Sequence, residues 1–326
     1  MSLPSFQLLR PKTLDEAVAW MARHEGEVKV VAGGTDLLPS MKQKLFTPPF
    51  VLDLRGVSEL RGIRGVPGKG VEIGALTTLS AIEHSSLIRR DYPVLQQAAK
   101  TVASPVLRNM GTIGGNVCLD TRCLWYNQSL LWRKSCGFCL KKDGDLCHVA
   151  PGGMFCWATF SGDTPPALLC LGAEIAIAGP KGMRRIPLSE FYVNDGIVRL
   201  HLAPNEIVTH VRLPESSAGW RGSYQKLRVR GSIDYPLAGV AVALKLRSGS
   251  VEDARVAITA VNPAPLLVKD ADAQLVGAVP GEELAARVGD LAASTAKPLT
   301  TSALTPEYRR EMVRVFATRA VLACLN

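Results

Sequence analysis

The sequence predicts an α+β chain: a cofactor-binding unit over about residues 1–215 and a smaller α+β domain over 216–326. Three observations carry this expectation. Short β-branched runs alternate with amphipathic runs through the first half, the pattern of sheets covered by helices. From Cys118 to Trp157 that periodicity fails, and Cys, Gly, Lys and Asp dominate. Three strand-like segments then precede a long C-terminal helical run. The 326 residues, 47% of them hydrophobic, suffice for two or three domains of about 100–150 residues each.

The elements follow in order. Pro11–His24 reads as a helix, with Thr13 as N-cap, Glu16 as its capping-box partner, and Leu14, Ala17, Val18 and Met21 on one face. Val28–Ala32 reads as a strand ending in Gly33-Gly34-Thr35-Asp36. A helix over Leu37–Lys44 follows, with Pro39 tolerated near its start. Phe50–Leu54 is a further strand. Val71–Gly74 also reads as a strand, and Leu79–Ser85 and Val94–Val102 as helices. Regular structure resumes at Ala167–Leu171 and Glu174–Ala178. Gly222–Val229, Ala238–Leu246 and Val251–Val261 read as strands, and Pro306–Leu325 as a helix.

The net charge is +9, but Lys and Arg are scattered and aromatics make up only 6%. With no helix-turn-helix or RNA-recognition signature, nucleic acid is not an expected partner. No apolar run reaches the ~18 residues a membrane span needs, and the N-terminus lacks a basic segment followed by an apolar one. The expectation is a cytoplasmic protein with no membrane partner. The five histidines are dispersed, and no Ser/His/Asp set, HExxH or paired acid stands out, so no catalytic residue is assigned.

Two glycine turns point to an anionic ligand. Val30-Val31-Ala32-Gly33-Gly34-Thr35-Asp36-Leu37 links a strand to a helix, where backbone N–H groups and the helix N-terminus attract a phosphate. Thr112-Ile113-Gly114-Gly115-Asn116 is a second turn of this type. Neither fits G-x-G-x-x-G or the Walker A pattern. In this order VVAGGTDLL, IGALTTLS, NMGTIGGN and GDTPPAL resemble the FAD-binding medium subunit of the xanthine dehydrogenase and carbon monoxide dehydrogenase family. YQKLRVRGSIDYPLAGVAVAL is similar to the start of that family's C-terminal domain. The resemblance implies a two-lobed FAD-binding domain, with lobes of about residues 1–55 and 56–215, and FAD held at the diphosphate by Val30–Leu37 and by Thr112, Gly114, Gly115 and Asn116. It further implies a flavin hydroxyl on Asp163, Lys226 near the flavin ring, and Val102 and Val208 flanking the cofactor.

The stretch between Asn116 and Gly162, about residues 117–161, is an insertion relative to ordinary members of that family. It carries Cys118, Cys123, Cys136, Cys139, Cys147 and Cys156, six of the eight cysteines. Clustered cysteines in a reducing compartment point to metal or redox chemistry more than to disulfides. The spacing is not a bacterial ferredoxin pattern. Read alone, the C-x-x-C of Cys136 and Cys139 leaves open a zinc staple with Cys147 and His148 or Cys156, and hence a flavin-free binding protein. The segments TRC, LWYNQSLLWR, GFC, DLCHV and MFC look like the insertion of the β subunit in the 4-hydroxybenzoyl-CoA reductase family. That resemblance implies a [4Fe–4S] cluster on Cys123, Cys139, Cys147 and Cys156. It also implies ferredoxin as electron donor, a small subunit with two [2Fe–2S] clusters, a large molybdenum-cofactor subunit, and a dimer of three-subunit units. The reaction implied is reductive removal of the hydroxyl of 4-hydroxybenzoyl-CoA. An FAD subunit of an aldehyde, xanthine or CO-type dehydrogenase is the alternative. Trp125, Tyr126, Trp132, Phe138 and Phe155 are expected to shield the cluster, and Lys141 and Lys142 to help steer an acidic ferredoxin.

Overall fold

The computed structural model describes residues 2–278 and 281–325. The first lobe is a three-stranded parallel sheet in the order β1 (Gln7–Leu9), β3 (Phe50–Asp53), β2 (Val28–Val31). Helix α1 (Leu14–Arg23) crosses from β1 to β2. Thr13 caps it by accepting from the Glu16 N–H at 3.2 Å, but Glu16 turns its carboxylate to the Lys12 N–H at 2.7 Å. Helix α2 (Leu37–Lys42) follows β2 and is two residues shorter than its sequence pattern.

The second lobe is a five-stranded antiparallel sheet in the order β4 (Ile63–Val66), β5 (Gly70–Gly74), β8 (Ile207–Leu213), β6 (Glu174–Gly179), β7 (Gly182–Pro187). Its core joins Ile73, Ile175, Ile177 and Val211 to Leu95 and Ala98 of the helix Pro93–Thr101. The C-terminal domain is an antiparallel sheet of β9 (Arg221–Leu227), β10 (Ala238–Arg247), β11 (Ser250–Thr259) and β12 (Leu266–Leu267).

Strand β10 explains its unbroken apolar sequence. Ala241 and Ala243 face the second-lobe core, whereas Val240, Val242 and Leu244 face the helices Glu282–Thr295 and Pro306–Leu325. Side chains alternate across a strand, so a strand buried on both faces reads as one apolar run. Each of those large side chains contributes about 1.5–3 kcal/mol by leaving water. Small alanines on the other face let the sheet lie close to the cofactor-binding unit. Arg309 locks the C-terminal helix to this sheet: it is fully buried and donates to the carbonyls of Leu237, Leu299 and Ala260. No helix among the described residues is long and apolar enough to cross a membrane.

Candidate functional site

The first glycine turn leaves β2 beside Val31, whose side chain is buried with Met41 and Val51, while Val30 and Ala32 pack toward the core beneath α1. Gly34 has φ +73°, a conformation that strains a residue with a Cβ. A Cβ on Gly33 would lie 2.0 Å from the Met110 carbonyl oxygen. The two turns therefore touch backbone to backbone. The N–H groups of Gly33, Gly34, Thr35, Asp36 and Leu37 meet no acceptor among the described residues. Such a run of free donors opening into a helix suits an anionic diphosphate. Asp36 does not cap α2 with its side chain. Its Oδ1 accepts from the Tyr235 hydroxyl at 2.8 Å and from Arg122 Nη1 at 3.3 Å. Burial pushes the Asp36 carboxyl up, against the pull of Arg122 and Tyr235.

The second turn is built differently. Thr112 caps the helix Ile113–Val117, its hydroxyl accepting from the Gly115 N–H at 3.1 Å. Ile113 donates to Thr77, Gly114 to Ala75 and Asn116 to Thr112. Most of its N–H groups are thus already committed, unlike those of the first turn. Asn116 Oδ1 accepts from the Thr164 N–H at 3.0 Å and hydroxyl at 2.6 Å, which ties this turn to Asp163. Asp163 in turn accepts from the Tyr224 hydroxyl at 2.8 Å and from Lys226 Nζ at 3.0 Å. Lys226 also donates to the carbonyls of Thr101 and Asp234. The structure therefore pairs Asp163 with Lys226. Val102 caps the helix Pro93–Thr101 beside them, half-buried, and its carbonyl accepts from Arg108 at 2.9 Å. Val208 lies on β8 opposite Ile177, inside the second-lobe core.

The insertion is entered and left through one backbone pair, Arg122 and Thr159, which exchange N–H···O bonds of 2.8 Å. Between them only Leu130–Ser135 is helical. Cys123, Cys139, Cys147 and Cys156 line a single cavity, with Trp125, Tyr126, Lys141 and His148. Cys136 is not among its lining residues. Among the described residues no three His, Cys, Asp or Glu side chains are drawn together as they are around one metal ion. Burial pushes the Cys123 and Cys156 thiols up to about 11. Backbone N–H groups work the other way: Trp125 and Tyr126 favour the Cys123 thiolate, and Ala158 donates to Cys156 Sγ at 3.5 Å. A bound metal would hold these thiols deprotonated outright.

Several expectations change here. Lys141 is not a surface docking residue. Its side chain is 6% exposed, and its ammonium donates to Asp120 at 2.9 Å, to Thr121 and to the Gly196 carbonyl. The reason is the apolar floor around it: a cation there needs partners, and Asp120 supplies the charge. Lys142 is half-exposed but pairs with Asp143 at 3.3 Å. Phe155 is 63% exposed and does not line the cavity, whereas Trp125 and Tyr126 do. His148 is no bystander: it stacks on Trp125 at 4.4 Å, and its Nε2 lies 2.5 Å from the Phe138 carbonyl. Gly196, beyond the insertion, went unnoticed in the sequence. A Cβ there would lie 2.6 Å from Cys156 Sγ, and its N–H donates to the Cys156 carbonyl at 2.8 Å. Only its NDG turn chemistry was visible.

The fold and the paired glycine turns define a flavin-binding electron-transfer subunit. The family described as "FAD binding domain in molybdopterin dehydrogenase" matches residues 4–216, and "CO dehydrogenase flavoprotein C-terminal domain" matches 222–324. The carbon monoxide dehydrogenase medium chain of Afipia carboxidovorans is 31% identical over 97% of this chain and 96% of its own length. The FAD-binding subunit of an Escherichia coli aldehyde oxidoreductase is 33% identical over 84% of this chain and 86% of its own. In a solved Cu,Mo-CO dehydrogenase, in its cyanide-inactivated form, one chain superposes with a TM-score of 0.82 at 29% identity, covering 100% of this chain and 99% of that one. The chain belongs to the family of FAD-binding medium subunits of molybdenum hydroxylase-type dehydrogenases, and FAD is its cofactor.

Proposed function

We propose that this chain is the FAD and [4Fe–4S] electron-transfer subunit of a 4-hydroxybenzoyl-CoA reductase-type enzyme. The single observation that carries the reading is the convergence of Cys123, Cys139, Cys147 and Cys156 on one cavity. Four thiolates are the ligand set of a cubane cluster. Of the six cysteines in the insertion, these four line the cavity, and Cys118 and Cys136 do not. A zinc staple through Cys136 has no such support. In this reading the FAD contacts are the first turn, Val30–Leu37, with Thr112, Gly114, Gly115 and Asn116 across from it. Asp163, Lys226, Val102 and Val208 bound the flavin side. The bound groups would supply one- and two-electron transfer between ferredoxin and the partners' [2Fe–2S] clusters and molybdenum cofactor.

This chain's own residues then perform three tasks. The free N–H groups of Gly33–Leu37 bind the diphosphate. The buried Asp163–Lys226 pair fixes one polar edge of the flavin site. Trp125, Tyr126 and His148 enclose the cysteine cavity. The partners in this reading are a large molybdenum subunit and a small iron–sulfur subunit, assembled in the cytoplasm as a dimer of three-subunit units.

A second reading is favoured by the relatives, whose names describe CO and aldehyde oxidation. There the chain is the FAD subunit of an aldehyde or CO-type dehydrogenase, and the insertion serves another end. The experiment is anaerobic purification of the complex with iron, zinc and flavin analysis, followed by turnover of 4-hydroxybenzoyl-CoA and of aldehydes. FAD with about four irons per chain, lost on Cys139→Ser or Cys147→Ser, supports the cluster. Flavin without iron overturns it, and aldehyde turnover without 4-hydroxybenzoyl-CoA turnover selects the second reading.

A further inference from the structure

The insertion reaches both ends of α2 with an arginine. At the N-terminal end Arg122 Nη1 approaches Asp36 Oδ1 at 3.3 Å, and its guanidinium lies over the Tyr235 ring at 3.9 Å from the centroid. Tyr235 donates to the same carboxylate oxygen at 2.8 Å, so the contact spans first lobe, insertion and C-terminal domain. At the other end Arg133 Nη2 donates to the Lys44 carbonyl at 3.0 Å and reaches the Gln43 carbonyl at 3.4 Å. Arg133 is 2% exposed; its Nε reaches the Gln128 carbonyl at 3.4 Å, its Nη1 has no hydrogen-bond partner among the described residues, and its ion pair with Asp143 is 3.7 Å long. A buried cation with no close carboxylate is costly, and carbonyls at a helix C-terminus carry the partial negative charge that offsets it.

We propose that Arg122 and Arg133 are positioning residues for the flavin-binding turn, and that the insertion clamps α2 so that loop order and flavin retention are coupled. The free N–H groups of Gly33–Leu37 lead directly into the clamped helix. Without Arg122 the Asp36 carboxylate would keep only the neutral Tyr235 hydroxyl as partner and would set a negative charge at the turn that takes the diphosphate; Arg122 offsets that charge. Arg122 precedes Cys123 in the chain, and Arg133 lies between Cys123 and Cys139. Gathering those cysteines around a metal fixes both arginines. The clamp itself follows from the contacts to α2; its coupling to metal loading rests on the cluster reading above.

The test measures the FAD dissociation constant, iron content and thermal midpoint of the complex for five variants. Arg122→Ala and Arg133→Met are expected to weaken FAD about tenfold each, equivalent to about 1.4 kcal/mol. Arg122→Lys, which keeps the charge, is expected to recover most of the loss. Arg184→Ala, on β7, breaks a 2.7 Å pair with Glu206 and serves as the control for general destabilisation. Cys147→Ser touches neither end of α2 and is expected to weaken FAD comparably through the disordered loop. Wild-type affinity in both arginine variants overturns the clamp, as does an equal loss in Arg184→Ala. Unchanged affinity in Cys147→Ser, with loss in the arginine variants, overturns the coupling alone. An iron-free wild-type complex overturns the cluster reading, and the arginine variants still decide the clamp.

Discussion

Replacing Lys226 with methionine tests whether the Asp163 site is dry. The Lys226 side chain is 3% exposed and that of Asp163 4%, with 3.0 Å between Nζ and Oδ2. Methionine fills a similar space but strands the carboxylate with one donor, the Tyr224 hydroxyl at 2.8 Å. It also deprives the Thr101 and Asp234 carbonyls of their 2.9 and 3.1 Å contacts. Removing one partner of a buried pair costs about 3–5 kcal/mol. At roughly 2 °C per kcal/mol for a chain this long, the midpoint falls by about 6–10 °C. Asp163→Asn is milder because its amide oxygen still accepts from Tyr224. The double variant is expected to be more stable than the two losses summed, by about 2 kcal/mol of coupling. Thermal unfolding of the four proteins by circular dichroism, with and without excess FAD, reads this cycle. A Lys226→Met variant within about 1 kcal/mol of wild type would mean that water reaches Asp163, and the argument fails.

Two further outcomes follow from the same geometry. Gly33→Ala places a Cβ 2.0 Å from the Met110 carbonyl oxygen, which is backbone and cannot swing aside. The turns must part, so flavin content should fall sharply and stability by about 3 kcal/mol; full flavin content with an unchanged midpoint would refute the close approach. Asp53 accepts from Arg55 Nε at 2.9 Å and Nη2 at 2.7 Å, and these side-chain hydrogen bonds hold its carboxyl below the ordinary 3.8. Its folded value is depressed, so the stability it contributes is present above 3.8 and is lost as pH falls through the lower folded value. Asp53→Asn should flatten that acid limb in a pH series of unfolding midpoints, and an unaltered limb would assign it to other carboxylates.

Much of the fold was legible because its signals are local. Thr13 and Thr78 announce the helices they cap, and the apolar run of β10 gives a strand buried on both faces. Strand β8 carried a usable signal in Val211 and Leu213 alternating with His210 and Arg212, yet Ile207, Val208 and Thr209, all buried, break the two-residue period where the pairing with β6 shifts register. Strand β7, GMRRIP, is an exposed edge with little apolar content, so periodicity has nothing to detect. The glycine turns were visible as turns, but the sequence could not reveal that one keeps its N–H groups free while the other uses them internally. That difference depends on Ala75, Thr77 and Thr112 acting as acceptors across the chain.

The insertion illustrates why counting charges misleads. Its arginines and lysines outnumber its aspartates, which suggests a basic surface for an acidic partner. In the folded chain Arg133 and Lys141 are buried and Arg122 is partly so, each turned toward the FAD-binding unit. Lys141 lines the cysteine cavity while its ammonium holds Asp120, Thr121 and Gly196. Gly196 in turn presses on Cys156. In the cluster reading proposed above, four thiolates in this cavity would need nearby positive charge, and a cation fixed by three oxygen partners would supply it without having to reorganise. A loop with so little helix and no sheet of its own buries only a small apolar cluster, Tyr126 and Cys139 against Leu45, too little to fix its shape. Inward-facing cations bonded to backbone carbonyls and to Asp36 and Asp120 do that instead, so the charges that seemed free for a partner are those that seat the loop.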